Sequence, residues 1–333
     1  MPAKDIMRRA TTISSVTLLL LALAGSLAAQ EFQLQVQVNE VIVPFSVRDD
    51  DGKLVAGLTV DDFTVLEDGK VQTVSDFSDF PVALSVALVI DTGLKNESLE
   101  AIKASIPALV ASFSDFDEMA VYRYDNAVFK VLDFIEDKEA LRDALNGLTD
   151  LGTSIQIVGG DRSQPSNTIN GLPTVNATTS ALDRDRRVLH DALYQAGRDL
   201  RGRAPDRRSV IMVISDGTAE RNEIDIEEVQ QSLIETGFEI QVYPIGLNVE
   251  VFVRLTDSLD GYAELTGGKL FYVDGDSLEA TYSEITGQAR NQYLLTYVSN
   301  NPIPPNTIPF REIEIRGGRN YDIDHRGGYY QVP

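Results

Sequence analysis

The sequence predicts an α/β protein: a doubly wound, mostly parallel sheet carried between two β segments, one toward each end of the chain. Three observations predict it. ALSVALVI, from Ala83, and SVIMVI, from Ser209, are apolar on both faces, as central strands of a helix-covered parallel sheet must be. Amphipathic helical stretches alternate with strands from Pro81 to about residue 290. Before and after that block the pattern is of strands and turns, with no helical period.

Taken in order, residues 1–29 read as a secretory signal peptide. Lys4, Arg8 and Arg9 precede an apolar run from Ile13 to Ala24, and small residues Ser26 to Ala29 follow. The run is short for a spanning helix, and no later segment reaches about 18 unbroken apolar residues, so no transmembrane segment is expected after cleavage. The expected address is the periplasm or the cell exterior. Residues 30–80 form an N-terminal β segment: QLQVQV alternates strictly, VIVPFSV continues as a strand, and DDDGK supplies a turn. FTVLEDGKVQTV reads as a hairpin, with Asp68-Gly69 able to take the positive φ of a tight turn.

Residues 81–290 form the α/β domain. After the first central strand, Leu99, Ile102, Ile106, Leu109 and Phe113 fall at helical spacing, with Pro107 expected to kink the helix. Strands MAVYRY and AVFKVLDF and a helix over 137–146 come next. VLHDALYQAGRDL is amphipathic, and SVIMVI leads to a helix near 225–236. Strand EIQVYPI, a helix over 254–266, strand KLFYV and a helix near 277–290 complete the series. A Gly, Ser, Thr, Asn and Pro-rich insertion over 151–185 interrupts it; a loop of that length is either functional or disordered. Residues 291–333 return to β structure in NQYLLTYV, REIEIRGG and YDIDHRGGYY. The two β segments either share one small sandwich or stand as two separate units.

Charge narrows the function classes. The formal net charge is −22, and the leader carries three cations against Asp5, so the mature chain is more acidic still. Such a field repels nucleic acid and anionic lipid, and no basic stripe with interleaved aromatics opposes it. The expected partner is a protein or cell-surface ligand, not nucleic acid. With no cysteine in the chain, disulfides, thiolate metal sites and a lipidated cysteine are excluded.

Enzymatic motifs are missing. There is no G-x-S-x-G elbow, no G-x-G-x-x-G after the first strand and no G-x-x-x-x-G-K-[ST] phosphate loop. The two histidines, His190 beside Asp191 and His325 beside Arg326, read as packing or surface residues rather than bases. Asp49-Asp50-Asp51, Asp274-Gly275-Asp276 and Asp322-x-Asp324 read as acidic turns rather than calcium loops, because the spacing and the bidentate Glu are absent. DRDRR at 183–187 and RGRAPDRR at 201–208 are local basic clusters, read as solvated faces or contacts to acidic surface.

SVALVID followed by a small loop, with VIMVISDG some distance on, resembles the von Willebrand factor A-type fold, a Rossmann-like doubly wound sheet. VPFSVRDDDGKLVAGLTVDDFTVLEDGKVQTVSDF, ARNQYLLTYV and the closing RGGYY further resemble the exported bacterial von Willebrand factor A-related proteins. In that fold, an Asp-x-Ser-x-Ser motif at a strand end joins a Thr and an Asp from two other loops around a magnesium or manganese ion. Onto this sequence the resemblance carries Asp91 as the first acid and Asp216 as the distant one, while Gly93 and Lys95 stand at the two serine positions. The threonine falls on Thr153 or, if the insertion precedes that loop, near Arg187. The implied metal ligands are thus Asp91, Asp216 and Thr153, in a degenerate constellation.

Magnitudes favour an empty or lysine-filled site. Glycine offers no side-chain oxygen and lysine only donors. A unit-charge pair at 4 Å is worth about 4 kcal/mol at an effective dielectric of 20, and a dication doubles the repulsion. That is comparable with the roughly 4 kcal/mol of a millimolar site. An inward Lys95 would therefore exclude the ion and sit between Asp91 and Asp216. An outward one would leave Thr92, Asn96, Glu97 or Ser98 to supply oxygens to weakly held Mg, Mn or Ca. The expected function is a non-enzymatic binding or adhesion-type module that needs no cofactor, with Asp91, Lys95, Thr153 and Asp216 at its ligand edge. Alternatives are an envelope assembly component and a hydrolase using the acidic sheet edge.

Overall fold

The computed structural model describes residues 40–152, 168–169, 172–173, 187–204, 206–219, 222–235, 239–247, 257–273, 277–317 and 321–332. The expected leader, QLQVQV, Thr153, Asp274 to Asp276 and most of the insertion lie outside these. Within the insertion, β8 (Thr168–Ile169) and β9 (Leu172–Pro173) pair antiparallel.

The central sheet contains β5 (Leu84–Asp91), β6 (Glu118–Tyr124), β7 (Val128–Ile135), β10 (Arg208–Ser215), β11 (Ile240–Leu247) and β12 (Phe271–Val273). Its order is β12-β11-β10-β5-β6-β7, parallel throughout except for the antiparallel edge strand β7. Every residue of β5 is buried, as its two apolar faces require. Alternate residues explain why. Leu84, Val86, Leu88 and Ile90 pack against helices α1 (Asn96–Ser112), α2 (Lys138–Gly152) and α6 (Leu278–Arg290). Ala87 and Val89 face α3 (Leu189–Leu200), α4 (Ile226–Leu233) and α5 (Asp257–Thr266). Pro107 is accommodated inside α1, which runs unbroken through it.

Strands from both ends of the chain interleave in two further sheets. One has the order β15-β1-β13-β4 and the other β16-β14-β2-β3. Their members are β1 (Glu40–Arg48), β2 (Phe63–Glu67), β3 (Lys70–Val71), β4 (Val74–Ser78), β13 (Tyr293–Val298), β14 (Phe310–Gly317), β15 (Asp322–His325) and β16 (Gly328–Tyr330). N-terminal β1 pairs with C-terminal β13 and β15, and β2 with β14. Phe45, Phe63, Phe77 and Tyr293 stack between the sheets at centroid distances of 4.9 to 6.4 Å. The Asp68-Gly69 turn takes φ of 50° and 75°, the geometry of a tight hairpin.

A carboxylate lies inside this sandwich. Glu67 is fully buried, and four donors satisfy it: Ser299 Oγ and Asn301 Nδ2 on Oε1, each at 2.6 Å, and the Tyr297 and Tyr329 hydroxyls on Oε2, at 2.8 and 3.0 Å. Those donors come from strands and loops more than 200 positions away in sequence, so one N-terminal side chain knots the C-terminal segment into place.

Candidate functional site

In a doubly wound sheet the ligand crevice opens beyond the carboxyl ends of the strands, where the order reverses. Here that point lies between β5 and β10. β5 ends on Asp91, and β10 delivers Asp216 one residue past its last. The parallel register, with Ile214 opposite Ile90, brings these ends level. Asp91 is opposite Tyr124, and Asp125 follows at the β6–β7 turn.

Backbone bonds fix the rim. The Thr92 amide and hydroxyl both donate to the Tyr124 carbonyl, at 2.8 and 3.1 Å. The Tyr124 hydroxyl donates to Ser215 Oγ at 2.8 Å, which also accepts the Gly217 amide at 3.0 Å. Asp216 Oδ1 accepts the Thr218 amide at 2.9 Å. The Val188 amide donates to the Asp125 carbonyl at 3.0 Å, which seats the start of α3, with Arg187 just before it, on the same rim. Asp191 accepts the Glu223 and Ile224 amides at 2.9 Å, tying the β10–α4 loop to α3.

At the centre is Asp91, with no exposed surface. Its Oδ1 accepts the Gly93 amide at 2.8 Å and faces Arg187 Nε at 3.2 Å. Its Oδ2 is buried without a hydrogen-bond partner. Arg187 Nη2 donates to the Gly93 carbonyl. A Cβ on residue 93 would overlap the Arg187 guanidinium where it now lies, so the glycine leaves room for this placement. Burial pushes the Asp91 carboxyl up to about 7; Arg187 pulls against that, while Asp216 and Asp125 add to it.

The lysine-filled reading is corrected by this geometry. Lys95 is exposed, and its backbone carbonyl receives the Ser98 and Leu99 amides as α1 begins. An ammonium on a four-carbon stem keeps its hydration at that position. The cation that reaches Asp91 is Arg187, which the sequence singled out only as a threonine replacement. Asp91 and Asp216 are neighbours, as the resemblance implied; Thr153 lies outside the described residues. Of the substitute oxygens, the Thr92 hydroxyl is taken by Tyr124, and Asn96 and Glu97 are exposed.

The divalent ion of the fold family does not suit these residues. Gly93 supplies no ligand atom, and a guanidinium lies against the first acid. Among the described residues no three acidic or histidine side chains converge on a metal position. The histidines are engaged elsewhere: His190 Nδ1 lies 2.9 Å from the Tyr262 hydroxyl, and His325 Nδ1 lies 2.7 Å from the Arg326 carbonyl. Burial lowers the pKa of both. Asp49 accepts the Asp51 and Lys53 amides, at 3.0 and 2.9 Å, as a turn residue does.

The architecture is mixed α/β, with a largely parallel central sheet and flanking antiparallel strands, the arrangement that the resemblance to the von Willebrand factor A-type fold implied. No family model and no curated protein matches the chain. Among solved structures it is similar to the conserved hypothetical protein BatB from Bacteroides thetaiotaomicron, at 18% identity and a TM-score of 0.42, over 62% of this chain and 97% of that one. It is also similar to a von Willebrand factor type A protein from Catenulispora acidiphila, at 13% identity and a TM-score of 0.44, over 90% of this chain and 75% of that one. For proximal thread matrix protein 1 from the mussel byssus the values are 14% and 0.43, over 63% of this chain and 49% of that one. No helix among the described residues is long and apolar enough to cross a membrane.

Proposed function

We propose that the chain is a non-enzymatic, exported protein-binding module of the adhesion type. Its ligand surface is the carboxyl edge of the central sheet around Asp91, Asp216 and Arg187, and binding there is independent of divalent metal. One observation carries this reading: the Arg187 guanidinium lies against Asp91 in space that Gly93 leaves open. A dication added there would meet a fixed cation within a few ångströms, a repulsion comparable with the whole binding energy of a weak site. The non-enzymatic part is supported by the engaged histidines and by the lack, among the described residues, of a nucleophile-base pair at the edge.

Calorimetric titration with magnesium, manganese and calcium tests the metal reading. No saturable heat is expected; saturable heat that disappears in Asp91→Ala would overturn it. The complementary experiment restores the missing ligands. The triple substitution Gly93→Ser, Lys95→Ser and Arg187→Thr is expected to gain saturable magnesium binding that the parent lacks.

A further inference from the structure

We propose that the base of this edge is a receptor for an arginine side chain of a partner protein, and that Arg187 is the intramolecular competitor that holds its place. This rests on the reading of the edge as a protein-binding surface, and it names the chemistry of what binds. The first observation is the unequal use of the Asp91 carboxylate. The contact of Arg187 with the carboxylate is Nε to Oδ1 at 3.2 Å, a charge contact rather than a formed hydrogen bond, while its Nη2 donates to the Gly93 carbonyl and Oδ2 stays buried with no hydrogen-bond partner. A guanidinium and a carboxylate make their strongest contact as a fork on a fork, with two parallel N–H···O bonds. The tether of Arg187 to the start of α3 withholds that arrangement. A guanidinium free to approach in register would bond both oxygens and relieve the orphaned one, whose isolation is costly.

The second observation is the field around it. Asp125 and Asp216 flank Asp91 closely enough to raise its pKa. Asp191, Asp225 and Glu227 extend the acidic arc, their fields reaching His190 at the start of α3, with exposed Glu223 beside them. Against these, Arg123 lies over the Phe129 ring, 4.1 Å from its centroid, and offsets Asp125 in part, while Lys95 points to water; the acids still outnumber the cations there. A rim of one sign concentrates cations and repels acidic ligands. An acidic partner would therefore have to cross this arc to reach a guanidinium that is already engaged.

The test uses a fluorescein-labelled peptide of alternating arginine and glycine, with lysine and glutamate versions beside it, read by anisotropy at fixed salt. Arg187→Ala is expected to bind the arginine peptide at least tenfold more tightly than the parent chain. Adding Asp91→Asn is expected to return the affinity to within twofold of the parent. Adding Asp50→Asn instead, which removes the same charge from a remote turn, is expected to leave the gain intact. Arg187→Gln, which keeps more of the side-chain volume, serves if the alanine variant does not fold. No gain in either Arg187 variant, or a gain that survives Asp91→Asn, overturns the proposal. Preferential binding of the glutamate peptide also overturns it, while leaving the edge a protein-binding surface. Metal binding by the parent chain is read separately, so a failure of the metal-independent reading is not confused with a failure of this one.

Discussion

Two of the fully buried carboxylates among the described residues, Glu67 and Asp91, are treated in opposite ways. Glu67, inside the sandwich, receives four hydrogen bonds that use both oxygens. Asp91, at the end of the central sheet, has one oxygen shared between an amide and a guanidinium and the other left bare. Both lie at strand ends, so burial alone does not separate them. The difference lies in the neighbours: hydroxyl and amide donors that converge on Glu67, and a single tethered cation with two further acids beside Asp91. A fully satisfied buried ion holds a structure together, whereas a partly satisfied one leaves favourable contacts to be made. The first belongs to architecture, the second to recognition.

The largest expected effect tests the architectural half. Glu67→Ala would strand Tyr297, Tyr329 and Asn301 as buried donors, each at about 1–3 kcal/mol, so a loss of roughly 3–5 kcal/mol is expected from urea unfolding. A loss below about 1 kcal/mol would erase the contrast.

Next is a pH dependence carried by Asp91. Its folded carboxyl titrates at about 7 against an ordinary value of 3.8, so the folded state holds the proton more tightly than the unfolded chain. The stability this supplies is full below pH 3.8 and is lost as pH rises through about 7. Between pH 5 and pH 8 the parent should lose roughly 2–3 kcal/mol more than Asp91→Asn does. Parallel unfolding curves at the two pH values check this, and equal losses would mean that Arg187 fully compensates the burial.

A smaller effect probes the fit of the guanidinium. Gly93→Ala should destabilise by about 1–2 kcal/mol, because the added carbon overlaps Arg187. Most of that penalty should vanish in an Arg187→Ala background, and a double-mutant cycle measures the coupling. Smallest of all, Lys95→Ala should leave the urea midpoint unchanged, since the side chain is exposed.

The sequence made the sheet legible because β5 and β10 are apolar on both faces, a pattern that few other environments produce. It also singled out Asp91 and Asp216, since strand ends can be read from where the apolar run stops. What it could not rank was Lys95 against Arg187. A spacing of four residues from Asp91 made the lysine look adjacent, whereas proximity was decided by the seating of α3 on Asp125, a long-range backbone bond with no local signal. Gly93 was the available clue. Read as a lost ligand, it is better understood as room for a side chain arriving from elsewhere. The satisfaction of Glu67 was likewise invisible, because its donors are scattered over the last 40 or so residues of the chain.

The interleaving of the terminal strands has a consequence for how the protein is made. Ser75 on β4 and Thr296 on β13 are hydrogen-bonded although 221 positions separate them. The strand that leads into the α/β domain thus lies beside the strand that leads out of it. Closing so long a loop is entropically expensive for a floppy chain and far easier once the intervening segment has collapsed. During synthesis β2 and β3 can close their own hairpin, but β1 and β4 must wait for β13 to emerge, and the α/β domain acts as the template on which the sandwich finally shuts.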